Sequence, residues 1–176
     1  MFFSLGKIKF VKSIESIIIL FMRKGKLERI WEGVEGMSNE ELKEKVLKLI
    51  SRHKYGVLST VENNKPHSRY MTFYNEDFTL FTPTKLNQEK IEEIEKNDAV
   101  SVLLGYEGNG QSDEYVEISG VARLNKSQDL KSKIWEESFK QWFEGPEDPN
   151  FVLIQIQPKI VRILNTHGVP SEELVL

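Results

Sequence analysis

Residues 55–74, YGVLSTVENNKPHSRYMTFY, constrain the chain more than any other stretch. Two β-rich runs, 55–61 and 67–74, flank ENNKP, where Asn63 and Asn64 can take the positive φ of a tight hairpin turn. Runs this close can pair only as antiparallel neighbours, because a parallel pair needs a crossover of about a dozen residues or more. NED turns the chain again into FTLFT (78–82), so three strands are expected to run as a meander. AVSVLLGY (99–106) reads as a buried strand and EGNGQSD as a hairpin loop. EYVEISGVARL (114–124) alternates, with Gly120 marking a bulge or a close approach. FVLIQIQP and KIVRIL read as two last strands hinged at Pro158.

Helical patterns separate these runs. In MSNEELKEKVLKLI, Ser38 and Glu41 form a capping box, and Leu42, Val46, Leu49 and Ile50 give the apolar stripe. A second helix is expected to open at Asn87, read as its N-cap, and to run to about Asn97. A third covers 127–143, with Leu130, Ile134, Phe139 and Trp142 apolar, and GPEDPN ends it. The order is helix, three strands, helix, two strands, helix, two strands. Doubly wound α/β chains alternate more regularly. A mainly antiparallel small barrel with helices packed outside is the expected architecture, because closure removes exposed edges.

The length of 176 residues suits one domain with at most an appendage. A formal net charge of -3 provides no global basic field, so nucleic-acid binding is not expected. The absence of cysteine excludes disulfides, thiolate metal sites and a cysteine nucleophile, and it agrees with a cytoplasmic location. Residues 1–36 are basic and apolar, but their longest unbroken apolar run is Ile17 to Met22. That is far short of the roughly 20 residues of a membrane span, so no stable membrane insertion is expected. A surface or docking helix is an alternative for this segment. Because a well-formed helix start follows Met37 directly, residues 1–36 are expected to be an extension outside the native domain, which is then 37–176.

Several chemistries find no motif. His53, His67 and His167 are scattered, so a metal site would need long-range convergence. There is no nucleophile elbow and no phosphate-binding glycine loop. The carboxylates of EKIEEIEKND read as a solvated helix face. What remains is Arg69, Thr82, Thr84, Asn87 and Lys90. Arg69 shares a strand face with Met71 and Phe73, an odd place for a guanidinium without an anion. Lys90 falls in the first turn of a helix, where the dipole disfavours a cation. A bound phosphate would resolve both oddities, through backbone N–H groups, hydroxyl donors and two charged side chains. Solvent-exposed pairing of Lys90 with Glu89 or Glu93, and of Arg69 with a surface carboxylate, would also resolve them. The residues alone leave both readings open.

Four stretches, YGVLSTVENNKPHSRYMTF, LFTPTKLNQEKIEEIEKNDAVSVLL, EYVEISGVARL and WFEGPEDPNFVLIQIQP, resemble in order and spacing the pyridoxamine 5'-phosphate oxidase-like superfamily, and within it the general stress protein group. The resemblance runs from about Ser38 to Leu164. It implies a six-stranded antiparallel split β-barrel, mainly β with peripheral helices, and a homodimer that holds FMN in clefts at its interface. It further implies that Arg69 and Lys90 bind the FMN phosphate, that Tyr70, Met71 and Thr72 pass the flavin ring, and that Phe81 and Thr82 touch it from the next strand. Trp135 and the pair Trp142-Phe143 resemble aromatics near the flavin cleft, with a core role the alternative, favoured for Trp135.

Two positions depart from the oxidases. Glu89 stands beside the lysine where they have an arginine, and Tyr115 stands where they have a glutamine. The C-terminal Arg-x-His of the true oxidases is also missing, since Arg162 is followed by Leu164. Vitamin B6 oxidation is therefore not expected. The implied activity is flavin-dependent oxidation or reduction of an unread small molecule, with NAD(P)H a candidate reductant. The alternatives are a non-catalytic flavin-binding or stress-response protein, and a deazaflavin or haem in the same cleft.

Overall fold

The computed structural model describes residues 37–110, 113–166 and 171–176. Helix α1, Asn39–Arg52, starts directly after Ser38 and buries Leu42, Val46 and Ile50. A hairpin follows, β1 (Tyr55–Glu62) with β2 (Lys65–Thr72), in full register from Tyr55↔Thr72 to Glu62↔Lys65. Asn63 and Asn64 close it at φ 50° and 61°, the left-handed pair that matches the twist of a two-residue hairpin. Then come β3 (Tyr74–Glu76), β4 (Thr79–Lys85), α2 (Glu89–Lys96), β5 (Ala99–Leu104), β6 (Tyr115–Asn125), α3 (Gln128–Ile134), a 3-10 turn (Glu137–Gln141), β7 (Phe151–Leu164) and β8 (Glu173–Val175). These elements belong to one unit, Asn39–Leu176. The expectation for residues 1–36 lies outside the described residues. Among the described residues no helix is long and apolar enough to cross a membrane.

The strands form one antiparallel sheet in the order β2-β1-β5-β6-β7-β4-β3, with β8 added to β7. Strands β2 and β3 lie at opposite ends of this path, yet a single residue, Phe73, joins them. One residue spans only a few ångströms of chain, so the two edges must come together and the sheet must roll up. That gives the mainly β split-barrel fold. The expected meander is corrected here. The run 67–74 is not one strand, because Phe73 turns into the core and donates its N–H to the Lys54 carbonyl at 2.7 Å. The sheet has eight strands, where seven runs were expected from the sequence pattern and six strands from the resemblance.

The expected hinge at Pro158 is also corrected. β7 is one continuous 14-residue strand. Its pairing with β6 slips at Ser119/Gly120, where Ser119 faces Ile160 and Gly120 faces Pro158. Proline offers no N–H to a ladder, and the bulge absorbs that loss. Gly120 is the close approach expected there, since a Cβ would collide with the Gln157 carbonyl oxygen.

The barrel interior is filled by Leu58, Leu80, Val102, Leu104, Val116, Ile118, Ile154 and Ile156. A second apolar cluster joins Phe81, Ile134, Phe139, Phe143, Phe151 and Leu153. It explains why 127–143 is not one helix. On a continuous helix Phe143 would lie roughly half a turn from Ile134. The chain turns extended at Trp135 (φ -56°, ψ 129°), and both then reach Phe151. Trp135 packs edge-on to Phe139 and Phe151, a core role.

Candidate functional site

Where β2, β4, the start of α2 and the 3-10 turn meet, a cleft of about 690 Å³ opens. Ligand pockets commonly span roughly 300–1,000 Å³. Tyr70, Met71 and Thr72 from β2, and Thr84 from β4, line it, and Trp142 stands at its rim with 55% of its surface exposed. Phe143, expected there together with Trp142, also lines it, and six expected residues thus converge on one cleft. Tyr55, Pro83, Lys85, Gln88 and Phe139 complete the lining and were not among those expected. Tyr55 carried a usable signal, because hairpin register sets it opposite Thr72. Phe139 carried none, since its placement depends on the break at Trp135.

Phe81 and Thr82 do not line the cleft. Phe81 belongs to the aromatic cluster, and Thr82 is fully buried with a hydroxyl that finds no hydrogen-bond partner among the described residues. Asn87 is exposed and is not the N-cap. The cap position is Gln88, whose side chain makes no capping bond. The α2 N-terminus thus reaches the cleft through Gln88 with first-turn N–H groups that no capping side chain satisfies.

Lys90 extends from that turn and donates to Thr84 Oγ1 at 3.3 Å. Among the described residues it makes no ion pair, so pairing with Glu89 or Glu93 is not what holds it. Its pKa is lowered, first by burial and next by the charge of Arg69, with Glu93 and Glu89 opposing. Neither Lys90 nor Arg69 is among the residues that line the cleft; Lys90 adjoins it through Thr84, and Arg69 lies close enough to Lys90 for the two charges to oppose each other.

Arg69 has a partner. Its Nη2 meets Glu93 Oε2 at 2.8 Å, and its Nη1 donates to the Thr60 hydroxyl, which itself donates to Glu93. His67 Nδ1 lies 2.7 Å from Glu93 Oε1. Glu93 is only 3% exposed, so EKIEEIEKND is not wholly a solvated face. Burial on its own raises the Glu93 carboxyl. Hydrogen bonds from Thr60, His67 and Arg69, with the Arg69 charge, outweigh it and hold the group at about 2. Helical phase sets Glu93 roughly 130° from the face of Ile91 and Ile94, so no local pattern marks it as buried. The β1–β2 hairpin covers it, through Thr60, His67 and Arg69. The same convergence brings Glu62, His67 and Glu93 within 4.8 Å of one another. Both Glu93 oxygens are already engaged by protein donors, which leaves little for a metal ion.

Tyr115 stacks edge-on with Tyr106, 5.8 Å between centroids, outside the cleft. Arg162 is held by Glu173 at 2.8 Å and Glu117 at 3.3 Å. His167 lies outside the described residues.

The family model for pyridoxamine 5'-phosphate oxidase matches residues 42–165. The chain is 46% identical over 129 residues to general stress protein 26 of Bacillus subtilis (strain 168), covering 73% of this chain and 92% of that protein. The crystal structure of general stress protein 26 from Bacillus anthracis str. Sterne is 42% identical, with a TM-score of 0.68 over 77% of this chain and 98% of that one. A haem-binding protein from Mycobacterium smegmatis, 13% identical, shares the fold at a TM-score of 0.62 over 81% of this chain and 59% of its own.

Proposed function

Because the chain belongs to the pyridoxamine 5'-phosphate oxidase family, we propose that its cleft binds FMN and that the protein is a flavin-dependent oxidoreductase. The observation that carries this reading is the asymmetry of the cleft. One end is lined by Gln88 at the uncapped start of α2 and by Thr84, whose hydroxyl takes a hydrogen bond from Lys90, with Arg69 close enough to depress Lys90. The rest is aromatic and apolar, with Tyr55, Tyr70, Phe139, Trp142 and Phe143. A phosphate and a flat ring system on one molecule fit those two ends. A phosphoryl group would accept from Lys90 and the first-turn N–H groups and would supply the counter-charge that Lys90 lacks. The aromatic walls would orient the ring and exclude water. FMN, when bound, supplies the hydride chemistry, with NAD(P)H the candidate electron donor. That fits a lining whose ionisable side chains, among the described residues, are Tyr55, Tyr70 and Lys85. Arg162, already committed to Glu117 and Glu173, is not offered to a substrate phosphate.

The cleft is completed, on this proposal, by a second copy of the chain. Tyr55, Tyr70 and Tyr106 are 77%, 85% and 62% exposed, and with Leu103 and Tyr115 they form one aromatic face beside the cleft. Contiguous exposed aromatics of this kind mark association surfaces.

The test is the visible spectrum of the purified protein, followed by FMN titration. Flavin absorbance with saturable binding supports the proposal; a colourless protein that takes up no FMN overturns it. Anaerobic bleaching of bound flavin by NAD(P)H, reversed by an acceptor, would establish an oxidoreductase. Bound flavin that NAD(P)H never reduces would assign a binding protein instead.

A further inference from the structure

Glu93 has no task in flavin binding as described, yet the structure invests three partners in it. It sits one helical turn beyond Lys90 on α2. Its carboxylate reaches across to β2 and takes Arg69, with Thr60 of β1 bonded to both. The ion pair therefore ties the strand that carries one cation to the helix that carries the other. A guanidinium has five N–H groups. Glu93 and Thr60 engage one on Nη2 and one on Nη1, which leaves three for a ligand. A long side chain that would otherwise sample many rotamers is held in one.

We propose that Glu93 is a positioning residue: it fixes Arg69 against α2 and so sets the spacing of the Arg69 and Lys90 cations that grip the ligand's phosphoryl group. The inference rests on the phosphate-binding reading above. It makes a prediction opposite in sign to that of simple charge balance. Removing a carboxylate from a phosphate site makes the site more positive, and Coulomb's law alone then tightens binding. If Glu93 positions Arg69, its removal weakens binding in spite of that gain.

The experiment compares FMN with riboflavin, the same ring without the phosphate, by quenching of flavin fluorescence. The proteins are the wild type, Glu93→Gln and Thr60→Val. Glu93→Gln is expected to weaken FMN about tenfold and riboflavin less than twofold. Thr60→Val, which removes the bridge but keeps the volume, is expected to move FMN the same way by about threefold, and it decides the matter if Glu93→Gln fails to fold. FMN affinity unchanged or increased in the folded variants overturns the positioning role while leaving flavin binding intact. Equal losses for both flavins also overturn it, because they indicate general damage. A wild type that binds neither flavin overturns the parent reading and this inference with it.

Discussion

Lys90 is the residue where position and chemistry disagree most. Half-buried at a helix N-terminus and beside Arg69, its ammonium is disfavoured by burial and then by the arginine's charge. A lysine with a lowered pKa costs stability wherever it stays protonated, which includes neutral pH. Lys90→Met keeps the stem and removes the charge. It should raise the thermal midpoint of the ligand-free protein by about 1–2 °C, a small figure because solvent screens the group. It should also weaken FMN binding by about tenfold or more, read by titration. Glu93 has the opposite sign. Its folded pKa, about 2, lies below its ordinary value of 4.5, so its stabilisation is fully present above pH 4.5 and is lost as pH falls towards 2. Acid unfolding followed by circular dichroism should show that loss in the wild type and a flatter profile between those limits in Glu93→Gln. Thr82 is simpler, since its buried hydroxyl finds no partner among the described residues. Thr82→Val should stabilise the protein by about 1 kcal/mol in a urea melt and leave FMN affinity within about twofold.

At the scale of elements, the β6–β7 pair carries the longest register in the sheet, and one bulge interrupts it. Gly120 and Pro158 share that point for complementary reasons. The proline cannot donate, and the glycine leaves room for the Gln157 carbonyl oxygen to pass. Gly120→Ala should cost about 1–3 kcal/mol in denaturant, because backbone must move to accept a methyl group. The hairpin turn and the bulge glycine were legible because each is a local backbone requirement written in residue type. The unity of β7 was not. Pro158 reads locally as a stop, and only pairing with β6 shows that the strand continues past it. The split of 127–143 was hidden for a similar reason, since Trp135, Phe139 and Phe143 are good helix-face residues until Phe151 is there to be packed against.

At the scale of the molecule, the exposed face of Tyr55, Tyr70, Leu103 and Tyr106 borders the cleft. If a second copy covers it, replacing Leu103 and Tyr106 by glutamate should convert a dimer to a monomer in sedimentation equilibrium. FMN affinity should fall with it, although Leu103 and Tyr106 do not line the cleft. A wild-type protein that sediments as a monomer would remove the dimer from the proposal.

Period-two runs, turn asparagines and helix stripes depend on neighbours within a few residues. They determined the first two helices, the antiparallel sheet and a barrel as its means of closure. They also brought Thr84 and Lys90 forward as candidates, while Tyr70, Met71 and Thr72 came only from the family resemblance. Which strands became the edges was decided by Phe73 turning inward, and that depends on a core assembled from distant strands. The fate of Arg69 was decided the same way. Its anion turned out to be Glu93, a carboxylate that helical phase places off the buried face and that only the overlying hairpin removes from water. Local sequence specifies which backbone states are cheap. Which charges meet in a low-dielectric interior is settled only when separate segments close over them.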